Sequence, residues 1–125
     1  MGGWLVGDNI VLVKSKSFAI RVVRLYQHLT ETKKEFVLSK QLLRSGTSVG
    51  ANVREAVNAQ SKKDFVSKMG VALKEAAESE YWIELLAETS YLTTVESESI
   101  AQDCKELVRL LVSIIKSGKQ GLINN

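Results

Sequence analysis

Five residues of one segment, Gln41, Ser45, Ser48, Asn52 and Glu55, recur at spacings of four, three, four and three. At 3.6 residues per turn they share one face of a helix. Their chemistry is hydrogen bonding: amides, hydroxyls and a carboxylate in a row. Asn52 and Glu55 suit a dry core poorly, because each would need partners once removed from water. The seam is therefore either a solvated face or a polar network, inside a bundle or between subunits, that fixes helix register. Arg44 and Arg54 flank it, and either neutralise its carboxylate or point outward.

Catalytic patterns are weak by comparison. The single histidine, His28, has Leu25 three residues before it, so the Glu-x-x-His element of di-iron bundles is missing. Glu75, Glu78, Glu80, Glu84 and Glu88 form an acidic run better explained by solvation or salt bridges than by a metal. Cys104 falls on an apolar stripe, where a small buried thiol is the usual explanation. No GxxxxGK[ST] run and no GxGxxG fingerprint occurs. The expectation is a protein that is not an enzyme, with no catalytic residues, no metal and no cofactor.

Two further groups point to partners. Lys14 and Lys16, Lys33 and Lys34, and Lys62 and Lys63 cluster where helices begin or end. In an alternating bundle Lys14, Lys16, Lys62 and Lys63 would share one end. They make either a solvated rim or, repeated around a symmetric oligomer, a ring of positive charge suited to the phosphates of RNA or DNA. Tyr81 and Trp82 are adjacent and point about 100° apart on a helix, so both rarely enter one core. One ring buried and the other at a subunit contact is the expected arrangement.

The elements that carry these residues follow from apolar periodicity. Helix 1 is expected from Ser17, as N-cap, to about Lys33, with Phe18, Val22, Leu25, Tyr26 and Leu29 inward. Helix 2 follows from about Phe36 to Val57, its core stripe Leu38, Leu42, Val49, Val53 and Ala56. Gly46 and Gly50 interrupt it at up to about 1 kcal/mol each, a cost best understood if another backbone approaches closely. Helix 3 starts after Ser61, with Asp64 in capping-box position, and runs to about Tyr91. Helix 4 starts at Thr93 or Thr94 with Glu96 and stops near Gly118. Short connections force antiparallel neighbours, which gives an all-α, antiparallel up-down-up-down four-helix bundle. Before it, Trp4 to Val6 and Ile10 to Val13, around a Gly7-Asp8-Asn9 turn signal, read as extended. The expected organisation is an N-terminal arm over 1–16, a bundle over 17–118 and a tail over 119–125.

Composition agrees. A chain of 125 residues with 45% hydrophobic and 25% charged residues forms one globular domain. Proline is absent, and a single cysteine points to a reducing cytoplasm. A formal charge of +3 and a pI near 9.0 are compatible with a polyanionic partner. No apolar run approaches the ~20 residues of a membrane span, so no membrane association is expected.

The run Gln41-Leu-Leu-Arg-Ser-Gly-Thr-Ser-Val-Gly-Ala-Asn-Val-Arg-Glu55, with Ser61-Lys-Lys-Asp-Phe65 and Leu73-Lys-Glu-Ala-Ala-Glu-Ser-Glu-Tyr-Trp-Ile-Glu-Leu-Leu86, resembles the bacterial 23S rRNA-intervening-sequence proteins. The similarity spans about Ser17 to Lys116. Ala56 stands where many members carry glycine, so the second helix is not required to end there. The resemblance implies a left-handed four-helix bundle and, as in characterised relatives, a ring-shaped homopentamer with a central channel. It also implies kinship with the accessory variability determinant of diversity-generating retroelements, a basic pentameric partner of a reverse transcriptase and of nucleic acid. No catalytic residue comes with the family.

Overall fold

The computed structural model describes residues 8–124, with side chains over 10–121. It contains four helices, α1 (Asp8–Glu31), α2 (Leu38–Val57), α3 (Lys62–Glu88) and α4 (Thr94–Asn124). Each helix packs on its chain neighbours, and α1 also meets α4, while among the described residues the diagonal pairs bring no Cα atoms within 8 Å of each other. Cross-helix contacts fix the directions. Gly46 lies against Val22 and Gly50 against Ser15, so α1 and α2 run oppositely. Ser45 meets Ser79, and Glu55 meets Lys68, which reverses α3 against α2. Val66 faces Gly118 and Ala76 faces Cys104, which reverses α4 against α3. The molecule is the expected antiparallel up-down-up-down four-helix bundle.

Its core holds most of the apolar stripes read from the sequence. Phe18, Val22, Leu29, Leu42, Val49, Val53, Phe65, Met69, Ile83, Leu86, Leu107 and Leu111 are essentially inaccessible. Leu25, Tyr26, Leu38, Leu73, Val108 and Ile115 are only half-buried. The two glycines of α2 answer to the close approach of α1. A Cβ at Gly46 would stand 2.8 and 2.9 Å from the Val22 methyls, and one at Gly50 would stand 3.4 Å from the Ser15 carbonyl oxygen.

Both ends of the expected organisation change. The extended arm is not found over the described part of 1–16, because α1 already begins at Asp8. Val11 and Ser15 are buried and continue the stripe of Phe18 and Val22 at helical spacing. Burial against α2 overrides the β-preference of the Ile10 to Val13 run. Ser17, expected as an N-cap, is an exposed residue inside α1. The expectation for Trp4, Leu5, Val6 and Gly7 lies outside the described residues. At the other terminus α4 runs through the expected tail to Asn124. Gly118 does not end it: the residue is buried, and a Cβ there would lie 2.7 Å from Val66 Cγ2. Its glycine permits close helix packing.

The helix ends are chemically defined. The Asp64 N–H donates to Ser61 Oγ at 3.0 Å, as the sequence suggested. Thr93 and Glu96 form a reciprocal capping box, at 3.1 Å to the threonine hydroxyl and 2.9 Å to the carboxylate. α3 ends at Glu88, short of the expected Tyr91, in a Schellman turn with Ser90 at φ 69°. There the Tyr91 N–H donates to the Leu86 carbonyl at 2.9 Å and the Ser90 N–H to the Ala87 carbonyl at 3.1 Å. α2 starts at Leu38, and Glu35, from the preceding connection, accepts from the Val37, Leu38 and Ser39 N–H groups at 2.7–3.1 Å. Burial pushes the Glu35 carboxyl up, but the donors of Leu38, Ser39 and Val37 outweigh it and hold the group below its ordinary value.

Candidate nucleic-acid interface and polar seam

The polar seam of α2 faces α3. Ser45 is buried, and its hydroxyl lies 2.9 Å from that of Ser79, itself fully buried. Ser79 Oγ is also 2.9 Å from the Glu75 carbonyl, so the hydroxyl pair is satisfied without water. Glu55 pairs with Lys68 at 3.2 Å, an exposed bridge worth roughly 0–1 kcal/mol. Arg44 and Arg54 are both exposed, and neither supplies the counter-charge to Glu55 among the described ion pairs. Ser48 donates to the Arg44 carbonyl at 2.7 Å, and Asn52 Nδ2 to the Ser48 carbonyl at 2.8 Å, both within α2. Gln41, Arg44, Ser45 and Ser48 line a groove of about 260 Å³ with Glu75 and Glu78. Part of the seam thus joins two helices of one chain, while the rest opens outward.

Tyr81 and Trp82 divide as expected from their angular separation. Tyr81 is 55% exposed, while Trp82 packs partly against the core. Their rings meet edge-on with centroids 5.0 Å apart, and Trp82 Nε1 donates to Glu78 Oε2 at 3.2 Å.

The four lysines expected at one end separate. Lys62 and Lys63 open α3 at the end of the bundle, with Lys62 against Gly121 of α4. Lys14 and Lys16 lie further along α1, because that helix starts at Asp8; six residues carry Lys14 about 9 Å inward. Lys14 bridges to Glu106 at 3.1 Å, and Lys16 lines a groove between α1 and α2. The sequence reading missed Arg21, which bridges Asp103 at 2.6 Å and also reaches Ser99. It also missed Ser79, a lone serine in the Ala72, Ala76, Ile83 stripe.

Charge is unevenly distributed along the bundle axis. With each helix divided near its midpoint, the half holding the α2–α3 turn and the α4 terminus contains ten Lys and Arg against four Asp and Glu. The other half contains seven against ten, so nets of +6 and −3 underlie the overall +3. Grooves differ accordingly. Between α1 and α4, about 500 Å³ is lined by Ile10, Val13, Phe18 and Ser17 with Lys14, Asp103 and Glu106.

Cys104 is buried, and its thiol donates to the Ala76 carbonyl at 3.2 Å. Burial, reinforced by the carboxylates of Glu80 and Asp103, pushes it up to about 12. Among the described residues no three His, Cys, Asp or Glu side chains converge as metal ligands. No described helix is long and apolar enough to cross a membrane.

A sequence model of the 23S rRNA-intervening sequence protein family matches residues 7–113. The chain belongs to that family. A crystal structure of a protein of unknown function from the S23 ribosomal protein family of Bacteroides thetaiotaomicron VPI-5482 superposes with a TM-score of 0.87. The two are 57% identical, and the match covers 89% of this chain and 99% of the other. No curated protein is significantly similar. The two chains thus share the bundle.

Proposed function

We propose that this protein is a cytoplasmic, non-enzymatic homo-oligomer, a pentamer, that binds RNA or DNA through its positive half. The separation of charge into +6 and −3 halves carries this reading. Lys62 and Lys63 at the bundle end, and Lys16 along α1, supply phosphate contacts; Lys14 contributes less because Glu106 already engages it. Exposed Tyr81, the open part of the Gln41, Ser48 and Asn52 seam, and Trp82 beneath it organise the contact between copies. Neutralising several phosphates by lysine and arginine makes affinity fall steeply with salt.

Light scattering coupled to size exclusion, with the ultraviolet absorbance ratio followed at low and high salt, tests this directly. A ring-sized oligomer carrying nucleic acid that high salt removes is the expected result. A monomer that retains no nucleic acid and binds no added oligonucleotide at low salt refutes it.

One observation favours a second reading, an accessory scaffold for a nucleic-acid-processing protein such as a reverse transcriptase. Ile10 and Val13 are 53% and 66% exposed beside the α1–α4 groove, an apolar surface suited to protein contact. Binding through that surface would survive high salt, which separates the two readings.

A further inference from the structure

The grooves of this bundle are not alike. Those between α1 and α4 carry Asp103, Glu106 and Glu96; those involving α3 carry Glu75 and Glu78, or Glu84, Glu88 and Glu98. The groove between α1 and α2 has no carboxylate. Lys16 stands on its α1 wall and Arg54 on its α2 wall, above a floor of small residues that includes Ala19, Gly50 and Ala51. Its volume is about 260 Å³. Both cations are exposed, and neither takes part in an ion pair among the described residues. This sets them apart from Lys14, Arg21 and Lys68, whose charges are met by Glu106, Asp103 and Glu55.

The floor is narrow because Gly50 lets α1 approach to 3.4 Å of where a Cβ would stand. Its own hydroxyls are spoken for: Ser15 Oγ donates to the Leu12 carbonyl at 3.2 Å and Thr47 Oγ1 to the Leu43 carbonyl at 2.7 Å. The free donors at the groove are therefore the Lys16 ammonium and the Arg54 guanidinium. Gly50 packs at the level of Ser15, and Arg54 lies four residues on, about 6 Å nearer the α2–α3 turn. That is room for each cation to hold its own phosphate.

We propose that the Lys16–Arg54 groove binds the phosphodiester backbone of a nucleic-acid strand, which passes along α1 and α2 toward the Lys62 and Lys63 end. This rests on the nucleic-acid reading above and adds Arg54 and the groove to it. Recognition is of backbone charge and does not read bases. An uncharged floor whose hydroxyl donors are already engaged offers no base-edge code.

A fluorescently labelled single-stranded oligouridine, titrated by anisotropy across a range of salt concentrations, tests the site. The wild-type chain is compared with Lys16→Gln/Arg54→Gln and with Lys40→Gln, an exposed lysine of α2 in the half that carries net −3, as a control. Loss of two phosphate contacts lowers the slope of log affinity against log salt by about 1.4 for a single strand. The double variant should show that loss with an unchanged thermal melt, and Lys40→Gln should keep the wild-type slope. In parallel, the amide resonances of Gly50 and Ala51 should shift as oligouridine is added. Wild-type binding with the double variant's slope unchanged, or shifts that spare Gly50, overturns the groove while leaving nucleic-acid binding in place. Absence of salt-sensitive binding by the wild-type chain overturns both, and so tells the two failures apart.

Discussion

Replacing Gly46 with alanine sets helix propensity against packing. Alanine is favoured over glycine in a helix interior by about 1 kcal/mol, so on propensity alone the change stabilises α2. The new methyl, however, would stand 2.8 and 2.9 Å from the two Val22 methyls and 3.2 Å from Val22 Cβ. Val22 is fully buried and, being β-branched, has one strongly preferred rotamer in a helix. It cannot swing away, so α1 must move. Overpacking of this kind costs typically 1–3 kcal/mol, which leaves a net loss of about 0–2 kcal/mol. Gly70→Ala is the internal control, because nothing lies within 4 Å of a Cβ there. It should gain about 1 kcal/mol. Propensity cancels in the comparison, and the two variants should differ by about 1–3 kcal/mol in urea unfolding. Val22→Ala should relieve the clash, so its cost in the Gly46→Ala background should fall by about 1 kcal/mol or more relative to wild type. Equal stabilisation by both alanine variants, or strict additivity with Val22→Ala, would refute the account of the α1–α2 contact.

Other consequences can be checked by simple measurements. Glu35→Ala strips an acceptor from three backbone N–H groups at the start of α2 and should cost about 1–3 kcal/mol by denaturant unfolding. Because the folded carboxyl titrates below its ordinary value of 4.5, its contribution is present above that pH and lost as pH falls through the folded value. Glu35→Gln should therefore flatten the acid limb of the stability curve. Ser90→Gly removes a side chain from a left-handed position and should raise stability by about 1 kcal/mol, read as a higher melting temperature. Cys104, with its thiol pushed up to about 12, should resist Ellman's reagent near neutral pH until the chain unfolds, and rapid labelling of the native protein would contradict its burial.

The helices themselves were legible because their apolar stripes keep a 3.6-residue period for many turns, and Ser61 and Glu96 mark two of their starts. The errors have local causes. The valines and isoleucine before Lys14 favour strands in isolation, and only the tertiary burial of Val11 and Ser15 shows that they belong to α1. Gly118 carries the usual mark of a helix end, whereas its contact with Val66 is invisible in one dimension. The seam, the aromatic pair and the lysines stand out in the sequence as residue types and spacings. Which lysines lie together does not, since a helix that begins nine residues early moves Lys14 and Lys16 away from Lys62. Ser79 and Glu35 act through partners far along the fold or in the backbone, which periodicity does not encode.

The antiparallel helices have one more consequence for charge. Their macrodipoles oppose in pairs, so the end-to-end polarity comes from side chains. Half of one of these helices spans about 20 Å, roughly two screening lengths at physiological ionic strength. A rod-like anion approaching the α2–α3 turn therefore feels the near +6 far more than the distant −3. The near half presents +6 to it where the whole chain carries +3, an imbalance that favours approach with that face forward. Bulk isoelectric point is thus a poor guide to such a molecule's reach.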